Sequence, residues 1–157
     1  MNPQCQTAMK DAIFKVLETM FFATPLFEDA DEPKPGENLP YKYESCIEIR
    51  ADEKVITLFC LSSDRFARMI TADFLGVSED QLSPQEIADA MKELANMVAG
   101  ELAGRLGEGD WRLSIPAFEE IKAAARPYPG KSMASIRLLD DDGSLALALC
   151  RWSDAGK

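Results

Sequence analysis

Apolar residues recur along this chain with two distinct periods. Over residues 3–24, Met9, Ile13, Val16, Leu17 and Met20 fall at three- and four-residue steps, and Pro25 follows. That spacing predicts an amphipathic helix, which the proline stops. Residues 43–50 and 55–61 alternate instead, which predicts two strands joined by a turn at Asp52-Glu53. The turn sets Ile49 opposite Ile56 and Ile47 opposite Leu58 on one face of an antiparallel hairpin. In that register Cys46 and Cys60 point to opposite faces and should not form a disulfide, although their strands are paired. Ser63-Asp64 then supplies a cap for a short helix to Leu75, with Gly76 just past its end.

Ser83-Pro84-Gln85-Glu86 combines a capping box with proline at the first helical position and predicts a helix from Pro84 to about Leu106. Gly107 and Gly109 end it, residues 111–115 alternate as a strand ending at Pro116, and 117–125 is expected as a short helix. A second hairpin follows: 133–139, a turn at Asp140-Asp141-Asp142-Gly143, then 145–152. This order suggests a duplicated helix-plus-hairpin unit without any residue-level repeat. Two antiparallel hairpins plus a strand, with long helices packed on the resulting sheet, make an α+β fold and not a set of alternating βαβ units.

One domain spanning 1–157 is expected, with an acidic loop at 27–42 and a tail at 153–157. Glu28, Asp29, Asp31, Glu32 and Glu37, together with Pro33, Pro35 and Gly36, leave that loop little apolar surface to bury. It reads as a solvated connector. A chain of 157 residues can bury roughly two thirds of its unfolded surface without metal or disulfide support.

Charge and composition then narrow the chemistry. With 17 Lys+Arg against 27 Asp+Glu, the formal charge is −10. Nucleic acid and anionic membranes reward a basic surface, so neither is an expected partner; a protein with a basic rim fits better. There is no histidine. Ser/His/Asp and Cys/His nucleophilic machinery, histidine metal sites and phosphohistidine relays are therefore excluded. Cys5, Cys46, Cys60 and Cys150 form no C-x-x-C pair and read as reduced cytoplasmic thiols. Neither a signal peptide nor a membrane span is expected.

Gly130-Lys131-Ser132 has the ending of a phosphate-binding loop, but Ala125 stands where that motif needs its first glycine, and a strand follows where a helix is required. The glycines at 104, 107 and 109 lack dinucleotide-fingerprint spacing, and the triplet before Gly143 lacks that of a calcium loop. No metal site is expected.

The helix from Pro84 carries the one constellation that survives. At roughly 100° per residue from Ile87, the side chains of Met91, Leu94, Val98 and Leu102 fall between about −20° and 60° and form the buried stripe. Asp89, Glu93, Asn96 and Gly100 fall between roughly 180° and 240°, on the opposite face, with Glu93 and Asn96 neighbours at i, i+3. Gly100 and Ala103 continue that face without bulk, so a partner's backbone could approach there. On geometry alone this is an ordinary solvated surface.

Residue identity changes the picture. Asp89-Ala-Met-Lys-Glu93-Leu-Ala-Asn96 resembles the D/S-x3-E-x2-N signature of the CheC, CheX and FliY family of chemotaxis phosphatases, and Pro116 resembles the proline that follows it. Pro116 comes sooner than in the longer-spaced CheC pattern, and Ala-Phe-Glu-Glu follows without the family's glycine. Two-site members repeat the signature on the first helix; here Glu18-Thr-Met-Phe21 has phenylalanine where asparagine would stand. The resemblance therefore implies one site per chain, a CheX-like branch, a homodimer and the pseudo-duplicated CheC/CheX fold.

It also implies an activity, the dephosphorylation of the phospho-aspartate of a CheY-like response-regulator receiver. Asn96 would orient the attacking water and Glu93 would pair with the receiver's lysine. Asp89, Gly100 and Pro116 would contact the partner, and Mg2+ would sit on the receiver with no cofactor on this chain. The alternative is a non-catalytic receiver-binding module, as in flagellar-switch middle domains. A hydrolase of small phosphomonoesters ranks last.

Overall fold

The computed structural model describes residues 2–20, 26–107 and 109–154. Helix α1 (Pro3–Met20) buries Met9, Ala12, Ile13, Val16 and Leu17. The part of the expected helix beyond Met20, and Pro25 itself, lie outside the described residues.

The first hairpin forms in the expected register. Strands β2 (Tyr43–Ala51) and β3 (Lys54–Ser62) pair antiparallel with Ile49 opposite Ile56 and Ile47 opposite Leu58. Asp52 adopts the left-handed conformation that such a tight turn demands, at φ 52°. Cys46 pairs with Phe59 and Cys60 with Ser45, so the two thiols do face opposite ways, and all four cysteines are free. Helix α2 (Asp64–Leu75) starts with the Ser63 side chain accepting from the Phe66 N–H and ends at Gly76 in the αL conformation. A 3-10 turn at Glu79–Gln81 leads to α3 (Pro84–Arg105), whose capping box is complete: the Glu86 N–H donates to Ser83 Oγ (3.1 Å), and the Ser83 N–H donates to Glu86 Oε1 (2.9 Å).

Four expectations are corrected between and beyond these elements. The loop at 27–42 begins as strand β1 (Leu26–Asp29), paired with the second hairpin from Leu26↔Leu139 to Asp29↔Ile136. The strand at 111–115 shrinks to β4 (Arg112–Leu113), and 117–125 is not a helix: Ala117–Glu120 form strand β5, paired with β2. Phe118 stacks on Tyr43 with ring centroids 5.3 Å apart, so an open sheet edge and an aromatic pair outweigh the helical propensity of Ala-Phe-Glu-Glu. Finally β6 (Lys131–Asp140) and β7 (Gly143–Asp154) run longer than expected, and β7 takes in the first part of the tail through Asp154↔Lys54.

The sheet is antiparallel throughout, in the order β1-β6-β7-β3-β2-β4, with β5 also on β2. This order realises the suspected duplication. Each half of the chain is a helix, an edge segment and a hairpin: α1-β1-β2-β3 and α3-β4/β5-β6-β7. The hairpins meet at β3 and β7, and each half lends its edge segment to the other's hairpin, β1 to β6 and β5 to β2. The helices follow, α1 packing on β6 and α3 on β2. Where β1 stops, the buried Gln6 of α1 continues the ladder, donating to the Ser135 carbonyl (2.8 Å) and accepting from its N–H (3.0 Å).

Both faces of the sheet are covered. One carries α1, α2 and α3 over a core that includes Met9, Leu17, Ile47, Ile49, Phe66, Met91 and Ile136. The other carries a second cluster of Ala30, Tyr41, Phe59, Leu61, Tyr128, Leu147 and Leu149. The acidic loop is thus no solvated connector. Its Gly36 N–H donates to the Ala125 carbonyl (2.7 Å), the Ala125 N–H donates to the Glu37 carbonyl (2.8 Å), and loop and 121–130 segment close over this face together. Its carboxylates are tied down by basic residues of the sheet, Glu28 to Arg137 (2.6 Å) and Glu32 to Arg151. Among the described residues no helix is long and apolar enough to cross a membrane.

Candidate functional site

Helix α3 lies between α1 and α2 over β2 and also meets β3, β4 and β5. That central seat widens its buried arc beyond the expected stripe. Ile87, Met91, Leu94, Val98 and Leu102 are buried as predicted, and Ala90, Ala95 and Ala99 join them. At about 100° per residue the buried arc therefore runs from roughly −60° to 120°, with alanines at its margins where neighbouring helices press close.

The expected outward face survives this widening. Asp89, Glu93 and Gly100 are exposed, and Asn96, nearer the margin, is half-buried. Asp89 is engaged along its own helix, accepting from Gln85 Nε2 (2.8 Å) with Lys92 Nζ 3.8 Å away. Among the described residues, the Glu93 and Asn96 side chains have no hydrogen-bond or ion-pair partner. A carboxylate and an amide, one turn apart on a rigidly seated helix, thus present unused acceptor and donor capacity to the outside. An ion pair between Lys15 of α1 and Glu101 of α3 (3.2 Å) adds to the packing behind them.

Pro116 is half-buried between β4 and β5. Both strands pair with β2, but Leu113 faces Ile49 and Ala117 faces Cys46, so Ser114, Ile115 and Pro116 oppose only Ile47 and Glu48. The extra residue is a β-bulge, and proline, which has no N–H to give the ladder, suits it. Because β4 and β5 both pack on α3, the bulge borders the site helix. Sequence alternation alone does not reveal that Ile115, expected within the strand, is 92% exposed; the adjoining Pro116 is the available signal.

Gly100 is not required by its own chain, since a Cβ there would meet nothing within 4 Å. Glycine inside a helix costs roughly 1 kcal/mol relative to alanine. Gly100→Ala is therefore expected to raise stability by about that amount in denaturant melts, while weakening any partner whose backbone seats against this position. A binding titration run beside the melts separates the two effects.

The thiols offer no alternative nucleophile. Burial pushes Cys46 up to about 11 and Cys150 up to about 12, and raises Cys60, so none is a thiolate at neutral pH. The void of about 30 Å³ among Leu17, Phe66, Leu94, Ala95, Ala146 and Ala148 is apolar and too small for a substrate. Among the described residues no group of three or more Cys, Asp or Glu is placed to hold a metal ion. Gly130 is followed directly by β6, and its carbonyl accepts from Arg151, so it has no phosphate-loop role.

The family model described as chemotaxis phosphatase CheX matches residues 43–136, a stretch that contains the whole of α3 and the bulge. The chain belongs to the CheX family of chemotaxis phosphatases. Its fold is that of solved CheX and CheC-like proteins. A CheC-like superfamily protein from Shewanella sp. PV-4 aligns with a TM-score of 0.79 at 18% identity, over 98% of this chain and 99% of that one. The chemotaxis protein CheX from Desulfovibrio desulfuricans aligns at 0.74 and 18% identity, over 96% and 99%. The CheX of a CheX-CheY-BeF3-Mg2+ complex from Borrelia burgdorferi aligns at 0.69 and 11% identity, over 93% and 96%. No curated protein matches the chain in sequence. The positions on α3 that resemble the family signature are those that the fold leaves on its outward side.

Proposed function

We propose that this CheX-family protein hydrolyses the phospho-aspartate of a CheY-like receiver domain, with the outward face of α3 as its working surface. The observation that carries the reading is the Glu93–Asn96 pair, without a side-chain partner among the described residues, on a helix fixed from both sides and from beneath. Phosphoryl transfer to water needs an in-line nucleophile held still and charge stabilisation at the equatorial oxygens, so positioning supplies most of the catalysis. A neutral amide can hold the nucleophile. The Asn96 side chain accepts a hydrogen bond from the water through its carbonyl oxygen or donates one through its NH2, with no group titrating near pH 7. Glu93, a full turn away, pairs with the receiver's lysine and sets the angle at which Asn96 enters.

Asp89, already held by Gln85 and Lys92, adds negative charge at the rim of the docking surface. Gly100 admits the partner closely, and Pro116 fixes the bulge beside it. The receiver supplies the aspartyl phosphate, the lysine and Mg2+, and this chain brings no cofactor. The complex formed by the Borrelia CheX supports a CheY-like partner. The reading further takes the protein as a cytoplasmic homodimer that binds neither nucleic acid nor membrane.

The test is a time course of phosphate loss from phosphorylated receivers of the same organism, with and without the protein, run beside a small phosphomonoester. Accelerated loss from a receiver alone supports the reading. Binding without acceleration would replace it by a docking module, and hydrolysis of the small ester alone would overturn it. Glu93→Ala is expected to raise KM for the receiver about tenfold, the size of one desolvated charge pair at an interface, and to slow turnover as well. A titration showing full affinity would remove Glu93 from the anchoring role.

A further inference from the structure

Ile115 is 92% exposed, more than any other large apolar side chain among the described residues. Its backbone, in contrast, is held firmly. The Ser114 N–H donates to the Glu48 carbonyl (2.9 Å), the Glu48 N–H donates to Ser114 Oγ (2.9 Å), and that hydroxyl donates to the Ile115 carbonyl (3.3 Å). Pro116 fixes the next φ. Isoleucine itself is stiff at χ1, so an apolar side chain is presented to solvent with little freedom left to lose on contact.

Its place beside the site helix follows from the strands that flank it. After Arg105 the chain enters β4 and then β5, and both strands pack against α3. Ile115 lies in the bulge between these two strands, at the border of the site helix. Leu113, opposite Ile49 on the helix-bearing face, is 38% exposed and extends the apolar lip. An acid-and-amide face with an apolar lip beside it matches a partner that offers a cation with an apolar depression at its margin.

We propose that Ile115 is an apolar anchor that seats in the receiver domain beside its phosphorylation site, setting affinity and the choice of receiver while Asn96 performs the chemistry. The inference rests on the receiver-phosphatase reading and names a specificity residue for it. A side chain that fills a desolvated pocket, ringed by contacts that exclude water but add little energy themselves, carries a large share of the binding energy of an interface.

The test uses the full chain and a receiver phosphorylated with a small phosphodonor, comparing wild type, Ile115→Val, Ile115→Ser and Asn96→Ala. Ile115→Ser is expected to raise KM about tenfold or more with kcat at saturating receiver essentially unchanged, and Ile115→Val to stay near wild type. The melting temperature should not move, because the side chain touches almost nothing of its own chain. If Ile115→Ser leaves KM unchanged while Asn96→Ala abolishes turnover, the anchor is overturned and the phosphatase reading stands. A loss of kcat at unchanged KM, or an altered oligomeric state at unchanged KM, also overturns the anchor; the latter would mean that a second copy of the chain covers Ile115. If wild type neither binds nor dephosphorylates any receiver, both readings fall together.

Discussion

Asn96→Ala is expected to lower receiver-directed phosphate release by about a hundredfold or more, the usual loss when a positioning dipole is removed from an acyl or phosphoryl transfer site. The protein should remain folded. Asn96 is half-buried and, among the described residues, has no hydrogen-bond partner to strand, and alanine is the better helix former. The kinetic signature separates this residue from its neighbours: kcat falls while receiver affinity is retained, the opposite of the pattern expected for Ile115. Stopped-flow or manual quench measurements at saturating receiver provide the readout, and unchanged kinetics would remove Asn96 from the chemistry.

Gly130→Ala is expected to destabilise the fold by about 3 kcal/mol, lowering the melting temperature by roughly 6–12 °C for a chain of this size. Two causes add. Gly130 sits at φ +84°, where an L side chain costs about 1–2 kcal/mol. An added Cβ would also collide with the Trp152 carbonyl oxygen and lie 3.0 Å from its carbonyl carbon, inside the backbone of β7. Backbone cannot swing aside as a flexible side chain can, so the start of β6 must separate from the end of β7. Gly143 is the internal control. Its φ is +119°, but a Cβ there meets nothing within 4 Å, so Gly143→Ala should show only the conformational cost. Equal losses in the two variants, measured by calorimetry, would show that the close approach contributes nothing.

This pair of glycines also shows where local sequence patterns are informative. The strand pattern after Gly130-Lys131-Ser132 argues against a phosphate loop, and β6 does follow. The actual reason for glycine there, a close approach to a strand that begins more than ten residues later, has no local signature. Helix α3 is legible for the opposite reason. Its capping box, its proline at the first turn and its apolar period all act within a few residues. The adjacency of Glu93 and Asn96 follows from helical geometry alone.

The departures from expectation share one cause. Ala117–Glu120 is a strand because β2 offers unpaired backbone and Tyr43 offers a ring to Phe118. Leu26–Asp29 is a strand because β6 offers the same on the other edge. The acidic loop gains a buried layer because Ala30 and Tyr41 meet Tyr128 and the back of the sheet, although its own composition holds too few apolar residues to form a core. In each case the deciding partner is distant in sequence, and no window of the chain contains both.

By itself, then, the sequence determined the helices, the two hairpins with the register of the first, and the face of α3 that carries Asp89, Glu93, Asn96 and Gly100. These depend on hydrogen bonds and side-chain periods that close within a turn or a hairpin. Only the tertiary structure decided the exchange of edge strands between the two halves, the second core beneath the acidic loop and the bulge that leaves Ile115 in solvent beside the site. Those features pair backbone groups and surfaces brought together by the folded chain, and their stability comes from contacts that do not exist until the rest of the sheet has formed.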